Sequence, residues 1–187
     1  MSNAFASPRY LALLREFEGF FAEPYLCPAG RVTIGYGTNL EAHPRFIPGG
    51  NPAGLSGRRL LAALRARGLR WSREEACAAM LEELAQTHAD LVKRCSAYRT
   101  LRERGETVRA EALLDMAYNM GVGAPRGANG KGSGLLGFCA TLPMIEAGDY
   151  RRAACNLVKS LWYRQVGRRA RAVVSAMREG AWPEKLV

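Results

Sequence analysis

Residues 18–37 read EGFFAEPYLCPAGRVTIGYG, and this stretch decides the fold. Tyr25-Leu26-Cys27, a Pro28-Ala29-Gly30 turn and the β-branched and aromatic run from Arg31 to Gly37 predict a short β-hairpin. Just before it, Ser7-Pro8 followed by Leu11, Leu14, Phe17 and Phe21 predicts a helix. Ser supplies the cap, Pro suits the first turn, and the apolar spacing is three to four. Glu18 falls on the last turn of that helix, so an acid at a helix end faces a hairpin carrying a thiol and a hydroxyl. Cys27 and Thr33 follow Glu18 by nine and fifteen residues.

Beyond the hairpin the pattern turns helical. The Pro- and Gly-dense segment from His43 to Gly57 reads as a loop leading to a helix over 58–67. Ser72 and Glu75 form a capping box that opens a long helix, whose apolar face runs Ala76, Met80, Leu84, Leu91, Cys95 and on toward Tyr98. A buried helix is expected over 107–120, with Gly121 as its stop. Between 121 and 137, seven of seventeen residues are Gly, which predicts a mobile surface loop without regular structure. Thr141 with Pro143 starts a short helix, Asp149 caps another reaching about 160, and 167–179 forms the last, with Gly180 as its stop. The expected fold is therefore α+β, mostly α. It comprises a small N-terminal hairpin lobe over about 18–70 and a larger helical lobe over about 71–187 that includes the first helix, within one domain spanning 5–187.

Composition narrows the classes. At 187 residues, the chain can bury about 70% of its unfolded surface. Its 48% hydrophobic and 24% charged content is that of a globular protein. No apolar run approaches the ~20 residues of a membrane helix. Against 17 acidic residues stand 27 basic ones, 23 of them Arg, for a net charge of +10. An anionic partner follows: nucleic acid, an anionic lipid surface or a bacterial wall. No nucleic-acid recognition motif supports the first. Five scattered cysteines without CxxC spacing predict no structural metal, and their odd number fits folding in a reducing compartment. Cys77, Cys95, Cys139 and Cys155 are expected on or near apolar helix faces as structural thiols. Trp71, Trp162 and Trp182 read as packing anchors, and His43 and His88 carry no assigned role. Met1–Ala4 lacks the features of a secretory signal.

The arrangement Glu18-Gly19, Tyr25-Leu26-Cys27, Thr33-Ile34-Gly35-Tyr36-Gly37 resembles the phage-type lysozymes, or endolysins, of glycoside hydrolase family 24. The resemblance continues through Asn119-Met120-Gly121, Gly137-Phe138, Ala153-Ala154-Cys155-Asn156-Leu157, Lys159-Ser160-Leu161-Trp162-Tyr163 and Arg169-Ala170. It implies a two-lobed lysozyme-like fold and hydrolysis of the β-1,4 bond between N-acetylmuramic acid and N-acetylglucosamine in peptidoglycan, without a cofactor or metal. By that resemblance Glu18 is the proton donor and Thr33 holds the water. Arg169 approaches Glu18 from the helical lobe to orient it, and Tyr118, Asn119, Thr141 and Asn156 line the sugar-binding cleft.

The departure is at position 27, where Cys stands in place of the carboxylate of the best-known members. A free thiol titrates near 8.5 and needs help to ionise at neutral pH; Arg31 is the nearest cation in sequence. If Cys27 has replaced an essential acid, the alternative is a catalytically impaired wall-binding module of the same fold. The expected setting is a monomer made in the host cytoplasm without a signal peptide. It would act in the periplasm or wall after holin-type release or injection, bound to peptidoglycan and not to nucleic acid or stably within membrane.

Overall fold

The computed structural model describes residues 5–127 and 130–184. The Met1–Ala4 segment, positions 128–129 of the glycine-dense stretch and residues 185–187 of the expected domain lie outside the described residues. In chain order the elements are α1 (Pro8–Glu18), β1 (Phe21–Leu26), β2 (Val32–Gly35), β3 (Thr38–Asn39), α2 (Gly57–Ala66), α3 (Arg73–Arg94), α4 (Ser96–Glu103), α5 (Thr107–Met120), α6 (Thr141–Glu146), α7 (Tyr150–Val158), α8 (Leu161–Val166) and α9 (Arg168–Glu179). The fold is α+β and mostly α, as the periodicities predicted. The chain divides into a unit of Leu13–Glu83 and a unit of Met1–Ala12 with Leu84–Val187. The division falls inside α1 and α3, so the first turns of α3 belong with the sheet.

In the smaller unit the three strands run antiparallel in the order β1-β2-β3, with Tyr25 opposite Thr33 and Thr33 opposite Asn39. β3, two residues long, extends the expected hairpin by a third strand. α2 packs on β1 and β2, where Val32, Ile34, Leu60 and Leu64 are buried. Ser72 and Glu75 form the expected capping box: Glu75 N–H donates to Ser72 Oγ at 3.1 Å, and Ser72 N–H to Glu75 Oε2 at 2.7 Å.

Glu41 fastens the sheet to the start of α2. Its carboxylate accepts the N–H of Val32 at 2.9 Å, the N–H of Gly57 at 3.1 Å and Arg31 Nη1 at 3.1 Å. The Val32 N–H does most to hold this carboxyl below the ordinary carboxylate range; burial opposes it, and Gly57 and Arg31 add to it. A depressed pKa contributes stability above the unfolded value, and that contribution fades as pH falls through the folded one. Glu41→Gln is therefore expected to flatten the acid limb of the stability–pH curve and to cost about 1–3 kcal/mol at neutral pH, read by urea unfolding.

In the larger unit α5 packs against α4 and α9, and α7 against α6 and α9. Glu111, fully buried on α5, ties both ends of this unit: it accepts Ser7 N–H at 2.5 Å and Trp182 Nε1–H at 2.7 Å. Trp182 in turn stacks on Tyr10 with ring centroids 5.5 Å apart. Trp71, Trp162 and Trp182 are all buried, as expected of packing anchors.

Four expectations need correction. The apolar face read as one helix toward Tyr98 is broken at Cys95, whose extended backbone separates α3 from α4. α8 emerges as a separate short helix capped by Ser160, whose Oγ accepts Tyr163 N–H at 3.1 Å. The glycine-dense stretch is not without structure. Ala124 and Ser133 pair in an antiparallel bridge, Leu135 and Leu136 donate to Gly121 and Val122 at 3.0 Å, and both leucines are buried. Finally, Cys95 is buried but Cys139 and Cys155 are exposed; among the described residues all five thiols are free.

Candidate active site

The smaller unit brings Glu18, Cys27 and Thr33 onto neighbouring elements. The register sets Thr33 directly across from Tyr25, so these two side chains share a face of the sheet, and Cys27 follows one residue beyond the end of β1. Thr33 is buried, 4% exposed, and its hydroxyl donates to Arg31 O at 3.1 Å. Glu18 closes α1 half-buried, where Gly37 comes close to it. A Cβ on Gly37 would lie 3.1 Å from Glu18 Oε2, and the backbone there has φ of +90°. Only glycine lets the turn after β2 approach the carboxylate in this way. Gly37→Ala is expected to displace that carboxylate and lower turnover about tenfold to a hundredfold, at about 1–2 kcal/mol of backbone strain, read by steady-state assay beside a melting curve.

Cys27 sits where the ladder closes into a turn. Its N–H donates to Arg31 O at 2.9 Å and its carbonyl accepts from Gly30 at 2.8 Å. Burial pushes the thiol up, but hydrogen bonds from the backbone of Arg31 and Ala29 and from the Thr33 side chain outweigh it and leave the thiol below its ordinary value. The effect expected of Arg31 is thus present with a different cause. Its guanidinium is turned to Glu41, and its main-chain N–H is what favours the thiolate. Thr33 has one proton and two acceptors, the Arg31 carbonyl and the sulfur, so its hydroxyl is placed to follow the ionisation of Cys27.

Tyr25 belongs to the motif read from the sequence but was given no role there. Its phenol is pushed above the ordinary value first by burial and then by the negative charges of Cys27 and Glu18. One hydroxyl therefore senses both the thiol and the acid. The signal was its position opposite Thr33 and two residues before Cys27. Asn39 serves the backbone: its Oδ1 accepts the N–H groups of Glu41 at 3.0 Å and Ala42 at 3.2 Å. Thr38, following Gly37, is fully buried, and its hydroxyl has no hydrogen-bond partner among the described residues.

The larger unit gathers most of the expected sugar-contacting residues. Asn156 Nδ2 donates to Thr141 Oγ1 at 2.8 Å, and both line an open depression of about 490 Å³ with Arg126, Phe138, Cys139 and Lys159. Phe138 meets Trp162 edge-on at 6.4 Å, and Trp162 Nε1 donates to Asn119 Oδ1 at 3.0 Å, which links Asn119 to the same neighbourhood. Tyr118 is half-exposed at the end of α5, outside the residues lining that depression. Arg169 is 7% exposed and also outside it. Its Nε and Nη2 grip the two oxygens of fully buried Asp115 at 2.9 and 3.0 Å. Among the described residues no group of His, Cys, Asp or Glu is arranged to hold a metal ion.

The smaller unit thus carries an acid at a helix end with a thiol and a threonine on its sheet, and the larger unit carries a polar, aromatic-edged depression. The family model described as phage lysozyme matches residues 15–179, and the chain belongs to the phage lysozyme family. That family lyses peptidoglycan as lysozyme-type glycosidases. No helix among the described residues is long and apolar enough to cross a membrane.

Proposed function

We propose that this chain hydrolyses the β-1,4 bond between N-acetylmuramic acid and N-acetylglucosamine, with Glu18 donating a proton to the leaving glycosidic oxygen and the Cys27 thiolate serving as the second group. The observation that carries the reading is geometric: Glu18 closes α1 against the Gly37 turn, and Cys27 closes the β1–β2 ladder beside Thr33 in the same small unit, where backbone hydrogen bonds favour its thiolate. In one course the thiolate takes a proton from water, whose hydroxyl attacks the anomeric carbon as the C–O bond breaks. In the other it attacks that carbon itself, and water later releases the sugar. The first inverts the anomeric centre and the second retains it. Thr33 holds the water or steadies the thiolate. Tyr118, Asn119, Thr141 and Asn156 contact the acetamido sugars, and Arg169 is a positioning residue for Glu18. A net charge of +10 keeps the chain, as a monomer, on the anionic wall, which it reaches by holin-type release or injection.

The test is digestion of purified peptidoglycan, with reducing ends counted and products weighed. Muropeptides heavier by one water than anhydro products, and an anomer read by NMR at early times, are the expected result. Anhydro products, or no turnover while the chain still pellets with sacculi, would overturn it. The latter outcome would leave the impaired wall-binding module.

A further inference from the structure

We propose that the smaller unit carries a second site, a pocket for a tetrahedral oxyanion such as a phosphate group, built by Arg15, Arg73 and Tyr36 beside Cys77. The pocket measures about 590 Å³ and lies among Arg15 of α1, Tyr36 after β2, and Arg73, Glu74, Cys77 and Leu81 of α3. None of Glu18, Cys27 or Thr33 lines it. The inference goes beyond the proposed hydrolysis and stands or falls without it.

Among the described residues its two arginines have no carboxylate partner of the kind such residues usually find. Among the described residues Arg15 is engaged by the Cys77 thiol, with Nη1 3.9 Å from Sγ. Arg73 lies over the Phe20 ring at 4.6 Å and donates from Nη1 to the Tyr36 hydroxyl at 3.4 Å. Tyr36, 5% exposed, is itself packed against Phe20 at 5.5 Å. These contacts hold the guanidiniums in place without neutralising them, so an anion entering the pocket meets donors that cost little to organise. Glu74 contributes one negative charge against two positive, leaving the lining net cationic.

Ligand chemistry follows from the donor count. Each guanidinium presents several N–H groups. The Tyr36 hydroxyl accepts from Arg73, which leaves its own proton for another acceptor, and the Cys77 thiol adds a weak donor. Donors lining one pocket from two helices and a turn suit an anion with three or four oxygens better than a carboxylate with two. Such a phosphate group comes either free in solution or as part of a phosphate-bearing wall polymer.

The experiment is a titration of the full chain with inorganic phosphate at constant ionic strength, followed by backbone amide NMR. Saturable shifts at Arg15, Tyr36, Arg73 and Cys77, with a midpoint at or below about 1 mM, are expected. Arg15→Gln and Arg73→Gln should each weaken binding at least tenfold, and Arg58→Gln should leave it unchanged. Arg73 is exposed on α3, so its variant keeps the test open if Arg15→Gln fails to fold. Non-saturating shifts spread over the basic surface, or equal binding by both variants, would overturn the proposal. Displacement of phosphate by poly(glycerol phosphate) would identify the wall polymer as the source, and retention of it the free anion; either result keeps the site.

Discussion

Glu18→Gln is expected to abolish measurable release of reducing ends, a fall of at least about 10³-fold, while the melting temperature stays within a few degrees of wild type. An amide keeps the shape of the carboxyl and removes the proton that the proposed mechanism delivers to the leaving oxygen. Cys27 separates the finer alternatives. Cys27→Ser replaces a thiol already held below its ordinary value with a hydroxyl that does not ionise near neutrality, and turnover should fall about 10²- to 10⁴-fold. Cys27→Asp should retain a measurable part of the activity and change its pH dependence. In the wild type the rate is expected to rise with pH as the thiol ionises, so that its acid limb would report Cys27. With Asp there, the limb should move down by several pH units, toward the carboxylate range near 4. A wild-type acid limb that stays in place in Cys27→Asp would remove the thiol from the mechanism. Unchanged turnover in Cys27→Ser would do the same.

That Glu18, Cys27 and Thr33 could be put forward together as candidates from sequence reflects how local the information is. All three lie within sixteen residues, in a helix end and a hairpin whose turn and alternation are written in residue types. The source of the thiol's ionisation was not legible in this way. A side-chain reading finds Arg31 as the nearest cation, but the N–H groups that stabilise the thiolate belong to the backbone at positions 29 and 31, and every residue type carries them. Glycine misled for a related reason. Seven glycines in seventeen residues read as freedom, yet a Cβ on Gly123 would come within 1.9 Å of Ser133 O, so glycine there permits two backbone segments to touch. The α3–α4 break at Cys95 left no mark because neither Gly nor Pro punctuates it and the apolar spacing runs straight through. The acids of α5 were hidden differently. Glu111 and Asp115 are one turn apart on a helix read correctly as buried, but an acidic residue in isolation reads as surface, and only the partners show otherwise.

Asp115→Ala is expected to destabilise the fold by about 3–5 kcal/mol, a large share of the 5–15 kcal/mol that holds a typical domain together. The guanidinium of Arg169, 7% exposed, would lose both oxygens of the fork, and removing one member of a buried ion pair costs more than the intact pair contributes. Tyr10 reports the same low-dielectric surroundings: burial, then the charge of Asp115, pushes its phenol well above the ordinary value, and its hydroxyl has no hydrogen-bond partner among the described residues. A fall in melting temperature of about 10 °C is the expected reading. Asp115→Leu with Arg169→Met removes both charges at similar volume and should recover most of the loss. That double variant also isolates the proposed role of Arg169. If Arg169 positions Glu18, the restored fold will show a lowered kcat with KM little changed, because orientation of the acid matters in the transition state and not in sugar binding. If turnover returns together with stability, the pair serves the fold alone and Glu18 takes its orientation from elsewhere.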